Sequence, residues 1–258
     1  MKAVILAGGR GTRLLEETDR RPKPLIEIGG RPIIWHIMNI YSHHGINEFI
    51  VCLGYKGYLL KEYFSNLALH DADVTVDVAS RTVHYHDAPC LPWIVTLVDT
   101  GVETMTGGRI RRIRGHLDTD EAFCLTYGDG VGDVDVRASI EFHRQHGLLA
   151  TMTAVNPPAR FGTVALADGG LVSSFDEKKP AAPHVTNGGF FVLNPGAVDY
   201  IDGDRTSWER EPLQRLTAAG QLCAFQHEGF WQPMDTVWER DYLEELWRTG
   251  TAPWKVWP

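Results

Sequence analysis

Residues 2–9 read KAVILAGG, a five-residue apolar run that stops on two glycines. A run this short, without polar alternation, is what a strand covered on both faces requires. Strands of that kind belong to parallel sheets, whose crossover connections lay helices over both faces. The next segments keep to that plan. Pro32 opens a helix with Ile33, Ile37 and Ile40 at helical spacing and Gly45 as its stop. EFIVCLGY is the following strand and KGYLLKEYFSNLA the following helix. This alternation predicts an α/β fold with a doubly wound, mostly parallel, Rossmann-like mixed sheet.

From residue 73 the alternation lapses. DVTVDV, RTVHYH and WIVTLVDT are strand-like with no helix between them. GGRIRRIRGHL reads as a helix, AFCLTYGDG as a buried strand ending in an acid between glycines, and DVRASIEFHRQHG as a helix capped by Asp135. ATMTAV, GTVAL, LVSSFDEK and NGGFFVLNP then predict a smaller, β-rich portion. Helices near 207–219 and 237–249 flank the strand LCAFQHEGFW, and the Trp- and Pro-rich tail APWKVWP is expected to pack along a surface. Without repeat or low-complexity linker, 258 residues suit a single domain, with a first part of about 1–135 and a second of about 136–258.

The chain is 43% hydrophobic and 22% charged, enough for a sizeable core. Its net charge of −8, without a long basic run, argues against nucleic acid as a partner. No apolar run reaches the roughly 18 residues of a membrane span, and the N-terminal one is too short for a signal peptide. The four cysteines are widely spaced, and Cys52 and Cys124 lie in apolar runs, so inert thiols and a cytoplasmic location are expected. Positive charge is instead gathered locally, at Arg10, Arg13 and Lys23.

These cations surround the loop LAGGRGTRL, whose kind must be decided. A Walker A loop would need a glycine before a Lys-Ser or Lys-Thr pair, which is lacking here. A dinucleotide fingerprint would need a third glycine where Leu14 stands. What remains is a loop in which Gly8, Gly9 and Gly11 let backbone N–H groups approach phosphate oxygens. Thr12 and Arg13 add side-chain donors, and Lys23 arrives between two prolines that restrict its backbone.

LAGGRGTRL followed by RPKPLIEIGG resembles the sugar-1-phosphate nucleotidylyltransferases. WHIMNIYSHHGINEFIVCLGYKGYLLKEYF, VTLVDTGVETMTGGRIRRI, AFCLTYGDGVGDVD, NGGFFVLNP and GFWQPMDT are similar to the cytidylyl branch of that family, nearly end to end. The resemblance implies transfer of CMP from CTP to α-D-glucose 1-phosphate, giving CDP-glucose and pyrophosphate. A uridylyl or thymidylyl donor, another sugar 1-phosphate, or a non-catalytic nucleotide-sugar-binding subunit are the alternatives. It also implies a nucleotide-binding first part, a sugar-binding second part, and a homo-oligomer, with a hexamer suggested.

Such a transfer sets one phosphate against another, so charge repulsion is the barrier, and carboxylate-bound Mg2+ with surrounding cations lowers it. Asp129 is a candidate ligand from its place alone, at the end of a buried strand between glycines. Asp133 and Asp135 read as a loop acid and a helix cap. Asp235 read alone is a cap or a ligand; the resemblance makes it the second metal aspartate. By the same resemblance Leu6, Ala7 and the loop through Thr12, with Gly128, bind substrate. Arg13 holds the leaving pyrophosphate, and Lys23 bridges the sugar phosphate and the α-phosphate. Arg13, Lys23 and Asp129 form the catalytic set. Thr104 and Arg109 match nucleotide contacts, while Glu177, Lys178, Asn187 and Gly188 match the sugar side. EKKP stands where the family has EKP, so Lys179 competes with Lys178, Arg10 adds a cation, and Ile94 replaces a usual basic residue.

The remaining candidates have simpler readings. His84 and His86 alternate on a strand and suit an exposed face. His143 and His146 share a helix face and are expected toward solvent. Trp35, Trp238 and Trp247, on helices, are expected to pack in the core or an interface.

Overall fold

The computed structural model describes residues 1–11, 14, 18–19, 21–87, 91–117, 122–157, 163–166, 172–176 and 185–258. Strand β1 (Lys2–Leu6) leads into the glycine loop, and a 3-10 turn at Lys23–Leu25 precedes the short pair β2 (Glu27–Ile28) and β3 (Arg31–Pro32). Helix α1 (Ile33–His43) starts after Pro32 and ends before Gly45, whose φ of +86° suits a residue without Cβ. Ile33, Ile37 and Ile40 are all fully buried, as their spacing requires.

Strand β4 (Glu48–Leu53) is followed by α2 (Gly57–Ser65), α3 (Leu67–Asp71), the pair β5 (Asp73–Asp77) and β6 (Thr82–His86), and β7 (Ile94–Asp99). Helix α4 (Thr106–Arg112) precedes β8 (Phe123–Tyr127) and β9 (Gly130–Gly132). Helix α5 (Val136–His146) has the expected cap, with Asp135 Oδ1 accepting from the Ala138 N–H at 2.9 Å. The rest comprises β10 (Ala150–Val155), β11 (Thr163–Leu166), β12 (Val172–Asp176), β13 (Thr186–Leu193), α6 (Glu211–Ala218), β14 (Leu222–His227), β15 (Trp231–Pro233) and α7 (Val237–Arg248).

Seven strands form the central sheet in the order β14-β10-β13-β8-β1-β4-β7. Every pairing is parallel except the two made by β13. The β-rich second portion therefore does not stand apart: β10, β13 and β14 extend the same sheet, while β11–β12 and β9–β15 pair outside it.

Alternation along the strands separates two cores. Ala3, Ile5 and Val51 face one cluster, which holds α1 and Leu243 of α7; Val4, Leu6, Ile50 and Cys52 face the other, which holds Ile110 of α4 and Leu216 of α6. Both faces are covered, which is why β1 reads as an unbroken apolar run. Cys52 and Cys124 are buried and reduced, and burial pushes both thiols up to about 12. His84 and His86 sit on the exposed β6.

Two expectations are corrected. His143 does not face solvent: it is 2% exposed and shares Thr151 Oγ1 with His146, at 2.9 and 2.7 Å, because that face of α5 lies on β10. The tail does more than follow a surface, since Trp254 is fully buried in the first core beside Trp247 and His36. Trp35 and Trp247 pack in that aromatic cluster, while Trp238 lies outside the core, 64% exposed and stacked on Tyr242 of its own helix.

Candidate active site

The chain moves outward from β1 to β4 and β7, then returns to the other side of β1 for β8. That reversal leaves a crevice beyond the carboxyl ends of β1 and β8, the usual ligand position in an open α/β sheet. Leu6 and Tyr127 end these strands side by side. A cleft of about 710 Å³ opens above them, within the roughly 300–1,000 Å³ of small-molecule sites.

The glycine loop forms one wall. Gly8 is buried, Gly9 is open to the cleft, and Gly11 has a φ of +63°. Close approach explains Gly8 further: a Cβ there would lie 2.0 Å from Arg109 Nη1. Gly128 on the facing turn donates to the Leu6 carbonyl at 3.0 Å.

At the base of the cleft, Lys23 is presented by the 3-10 turn between Pro22 and Pro24. Its Nζ donates to Asp129 Oδ2 at 2.6 Å and to Asp235 Oδ1 at 2.7 Å. Burial works to lower the ammonium's pKa, but the charges and hydrogen bonds of the two carboxylates outweigh it and hold the value above the ordinary lysine one. The two acids, far apart in sequence, meet because β9 and β15 pair, Gly130 opposite Pro233, and the Met234 N–H donates to the Asp129 carbonyl at 2.8 Å. Helix capping falls to Thr236, which makes a reciprocal box with Glu239, and not to Asp235. Asp133 lies off the cleft, 3.1 Å from His227.

Two carboxylates turned toward one cationic point provide an all-oxygen donor set, which suits a hard ion such as Mg2+ completed by phosphate and water oxygens. Among the described residues no group of three His, Cys, Asp or Glu side chains gathers to hold a metal without such help.

Thr104, Asn187 and Gly188 line the same cleft with Leu6, Ala7 and the glycines. Asn187 Oδ1 accepts from the Gly189 N–H at 2.8 Å, and Gly188 is pinned through its carbonyl by Trp231 Nε1 at 2.7 Å. Arg10 stands outside the cleft lining, exposed and ion-paired with Glu103. Arg109 reaches the cleft wall, but its guanidinium turns inward. Nη1 donates to the Leu53 carbonyl and Thr100 Oγ1, both at 2.8 Å, and Nη2 to the Gly8 carbonyl at 3.0 Å. The side chain thus ties the ends of β1, β4 and β7 together. Thr12, Arg13, Glu177, Lys178 and Lys179 lie outside the described residues.

Among the further residues that line the cleft are Tyr127 and Trp231, neither of which was singled out from the sequence. Tyr127 could have been found as the last residue of the buried strand before Gly128 and Asp129. Burial, followed by the charge and hydrogen bond of Glu209, raises its phenol well above the ordinary tyrosine value.

A nucleotide-sized cleft at the sheet reversal, a glycine loop and a lysine between two acids define a phosphate-handling α/β transferase site. A family model described as nucleotidyl transferase matches residues 2–239, and the chain belongs to that family. It is 57% identical to glucose-1-phosphate cytidylyltransferase of Salmonella typhi over the whole of both chains. It is 43% identical, again over both whole chains, to the probable glucose-1-phosphate cytidylyltransferase of Bacillus subtilis. The crystal structure of HddC from Yersinia pseudotuberculosis has the same fold, with a TM-score of 0.70 at 22% identity over 95% of this chain and 99% of that one.

Proposed function

We propose that this protein transfers CMP from CTP to α-D-glucose 1-phosphate. The observation that carries the reading is the Asp129–Lys23–Asp235 arrangement at the base of the cleft, in a chain with full-length relatives named for that reaction. A phosphate oxygen of the sugar phosphate attacks the α-phosphorus, the bond from that phosphorus to the bridging β-phosphate oxygen breaks, and pyrophosphate leaves with the electron pair. The attacking oxygen is already ionised, so no general base and no covalent intermediate are required.

Lys23 stays protonated between its two acids, and its compact charge bridges the sugar phosphate and the α-phosphate. The Gly8–Gly11 backbone takes the triphosphate, and Arg13 takes the departing pyrophosphate. Thr104 lies beside the nucleoside, with Arg109 holding the wall behind it; Asn187 and Gly188, with Glu177 and Lys178, receive the sugar. Asp129 and Asp235 would hold Mg2+, which when bound neutralises phosphate charge and polarises the reacting phosphoryl. Binding of both substrates in the one crevice removes much of the entropic cost of their meeting.

Self-association follows from a different region. On β5–β6, Val74 faces Tyr85 across the ladder and Val76 faces Val83, all exposed. A two-stranded hairpin with an uncovered apolar face is marginal in water, which supports a homo-oligomer, with a hexamer as the form to test. Among the described residues no helix is long and apolar enough to cross a membrane, and nucleotide and sugar-phosphate substrates fit a cytoplasmic enzyme.

The test is a matrix of CTP, UTP, dTTP and GTP against glucose, mannose and galactose 1-phosphates, read by pyrophosphate release. CTP with glucose 1-phosphate is expected to give the highest kcat/KM. A higher value with UTP or dTTP refutes the cytidylyl assignment, and no turnover with any pair refutes catalysis.

A further inference from the structure

Between the sugar side of the cleft and the N-terminal end of α4 lies a hydrogen-bonded chain that none of the sequence motifs announced. The Tyr127 hydroxyl donates to Glu209 Oε1 at 2.8 Å. The other oxygen of the same carboxylate, Oε2, accepts from Thr106 Oγ1 at 2.7 Å. Thr106 Oγ1 in turn accepts from the Trp208 N–H at 2.9 Å, so its own proton must go to Glu209. Asn187 Nδ2 points at the Tyr127 oxygen from the other side, at 3.4 Å. Tyr127, Asn187 and Thr106 all line the cleft.

Counting donors and acceptors shows what this chain presents to a ligand. A phenol has one O–H, and here it is committed to Glu209. Toward the cleft the Tyr127 oxygen can therefore only accept. Asn187 is oriented from both ends: its Oδ1 takes the Gly189 N–H, so the amide nitrogen must face Tyr127, and its second N–H is a donor. Side by side, one acceptor and one donor match a single alcohol, which donates to the first and accepts from the second. The backbone holds the ring at close quarters as well. Gly189 has a φ of +78°, and a Cβ there would fall 2.5 Å from Tyr127 Cδ2. The ring also packs edge-on against Phe191, with centroids 6.2 Å apart.

We infer that Tyr127 and Asn187 together read one hydroxyl of the sugar, and that Glu209 is a positioning residue that fixes the direction of the Tyr127 hydrogen bond. The inference rests on the sugar 1-phosphate reading above. It identifies specificity-determining groups beyond the charged residues that hold the phosphates. A site built to hydrogen-bond a hydroxyl discriminates strongly against a ligand without it, because its own polar groups are then left unpaired.

The experiment compares the full-length protein with Tyr127→Phe and Glu209→Ala, using CTP, glucose 1-phosphate and its 2-, 3-, 4- and 6-deoxy analogues. Phe keeps the ring against Gly189 and Phe191, and Glu209 is an exposed side chain, so melting temperature serves as the folding check. Tyr127→Phe is expected to raise the KM for glucose 1-phosphate by about 10-fold or more, with the KM for CTP within about twofold of the parent. One deoxy analogue should be poor with the parent protein yet lose nothing further in Tyr127→Phe, because both halves of the same bond are then absent. Glu209→Ala should show the same analogue pattern at smaller amplitude.

A glucose 1-phosphate KM unchanged in Tyr127→Phe, equal rises in both KM values, or losses that simply add for every analogue would overturn the inference. Should the parent prefer another nucleotide and sugar phosphate, the function assigned above fails while the same comparison, run on the preferred pair, still decides the role of Tyr127.

Discussion

His36 lies in the interior of α1 with no exposed surface, ringed by Trp35, Trp247, Trp254 and Trp257. Its Nε2 is 2.9 Å from the Ile28 carbonyl and therefore carries the proton, so Nδ1 accepts from Trp254 Nε1 at 3.4 Å. A second proton would bury a charge and set two donors against each other. Burial accordingly pulls the imidazole from 6.5 to about 4, against the two backbone carbonyls that favour the charged form. Because the folded value is the lower one, the unfolded chain binds more protons between pH 4 and 6.5, and stability falls as pH drops through that window. The displacement corresponds to about 3 kcal/mol in full, of which about 2 kcal/mol is felt at pH 5. For a chain of this size that is roughly 4–8 °C in melting temperature. Burial lowers His44, His143 and His146 as well, so the parent protein should fall by more than this share. The informative comparison is therefore between the parent and His36→Gln, each melted at pH 7.5 and at pH 5. The variant starts lower but should lose about 2 kcal/mol less on acidification. Equal losses in the two proteins would refute the buried neutral imidazole.

Asp129→Asn and Asp235→Asn should each lower turnover by at least ~10²-fold with the circular dichroism spectrum unchanged, and chelation should abolish parent activity until Mg2+ is restored; near-normal turnover in either variant sinks the two-aspartate assignment. Arg13→Lys should weaken CTP binding in calorimetry without sugar phosphate, whereas Lys23→Ala should depress turnover and raise the sugar-phosphate KM; equal effects on CTP affinity alone would refute that division. Gly8→Ala drives a methyl into the Arg109 guanidinium and should cost about 1–3 kcal/mol of stability, measured by urea titration; an unchanged midpoint would show that Arg109 does not hold the loop.

Much of the fold was legible because burial on both faces leaves a plain mark. β1, β4 and β8 are apolar runs stopped by turn residues, and each is a central strand of the sheet. Helices α1 and α5 carried their own punctuation, Pro32 and Gly45 for the first, Asp135 and Gly147 for the second. What could not be read was membership: β10, β13 and β14 look like a separate β portion because strand alternation says nothing about which sheet a strand joins. His143 misled for a related reason. A histidine three residues from another on a polar helix suggests solvent, until a threonine hydroxyl on the strand beneath hydrogen-bonds both rings.

The site shows the same division more sharply. Local motifs announced the glycine loop, Lys23 and Asp129, since close backbone approach demands glycine and charge demands Arg, Lys or Asp at short spacing. The motifs placed Asp129 at a strand end, but by pattern alone Asp235 remained a cap or a ligand. In three dimensions β9 and β15 pair, which brings Asp235 to Lys23 beside Asp129, and Thr236 takes the capping role. Residues that act by holding others left no such trace. Arg109 entered as a nucleotide contact through the resemblance, and no local pattern showed that its guanidinium also closes on the Leu53 and Gly8 carbonyls and the Thr100 hydroxyl. Glu209 lies in TSWEREPLQ, an unremarkable polar stretch, and acquires meaning only because α4 and β8 bring Thr106 and Tyr127 to its two oxygens. Phosphate chemistry is constrained by charge and backbone reach and so concentrates in short segments. The direction of a single hydrogen bond, such as the one Tyr127 gives Glu209, is set by tertiary packing, and a linear pattern does not record it.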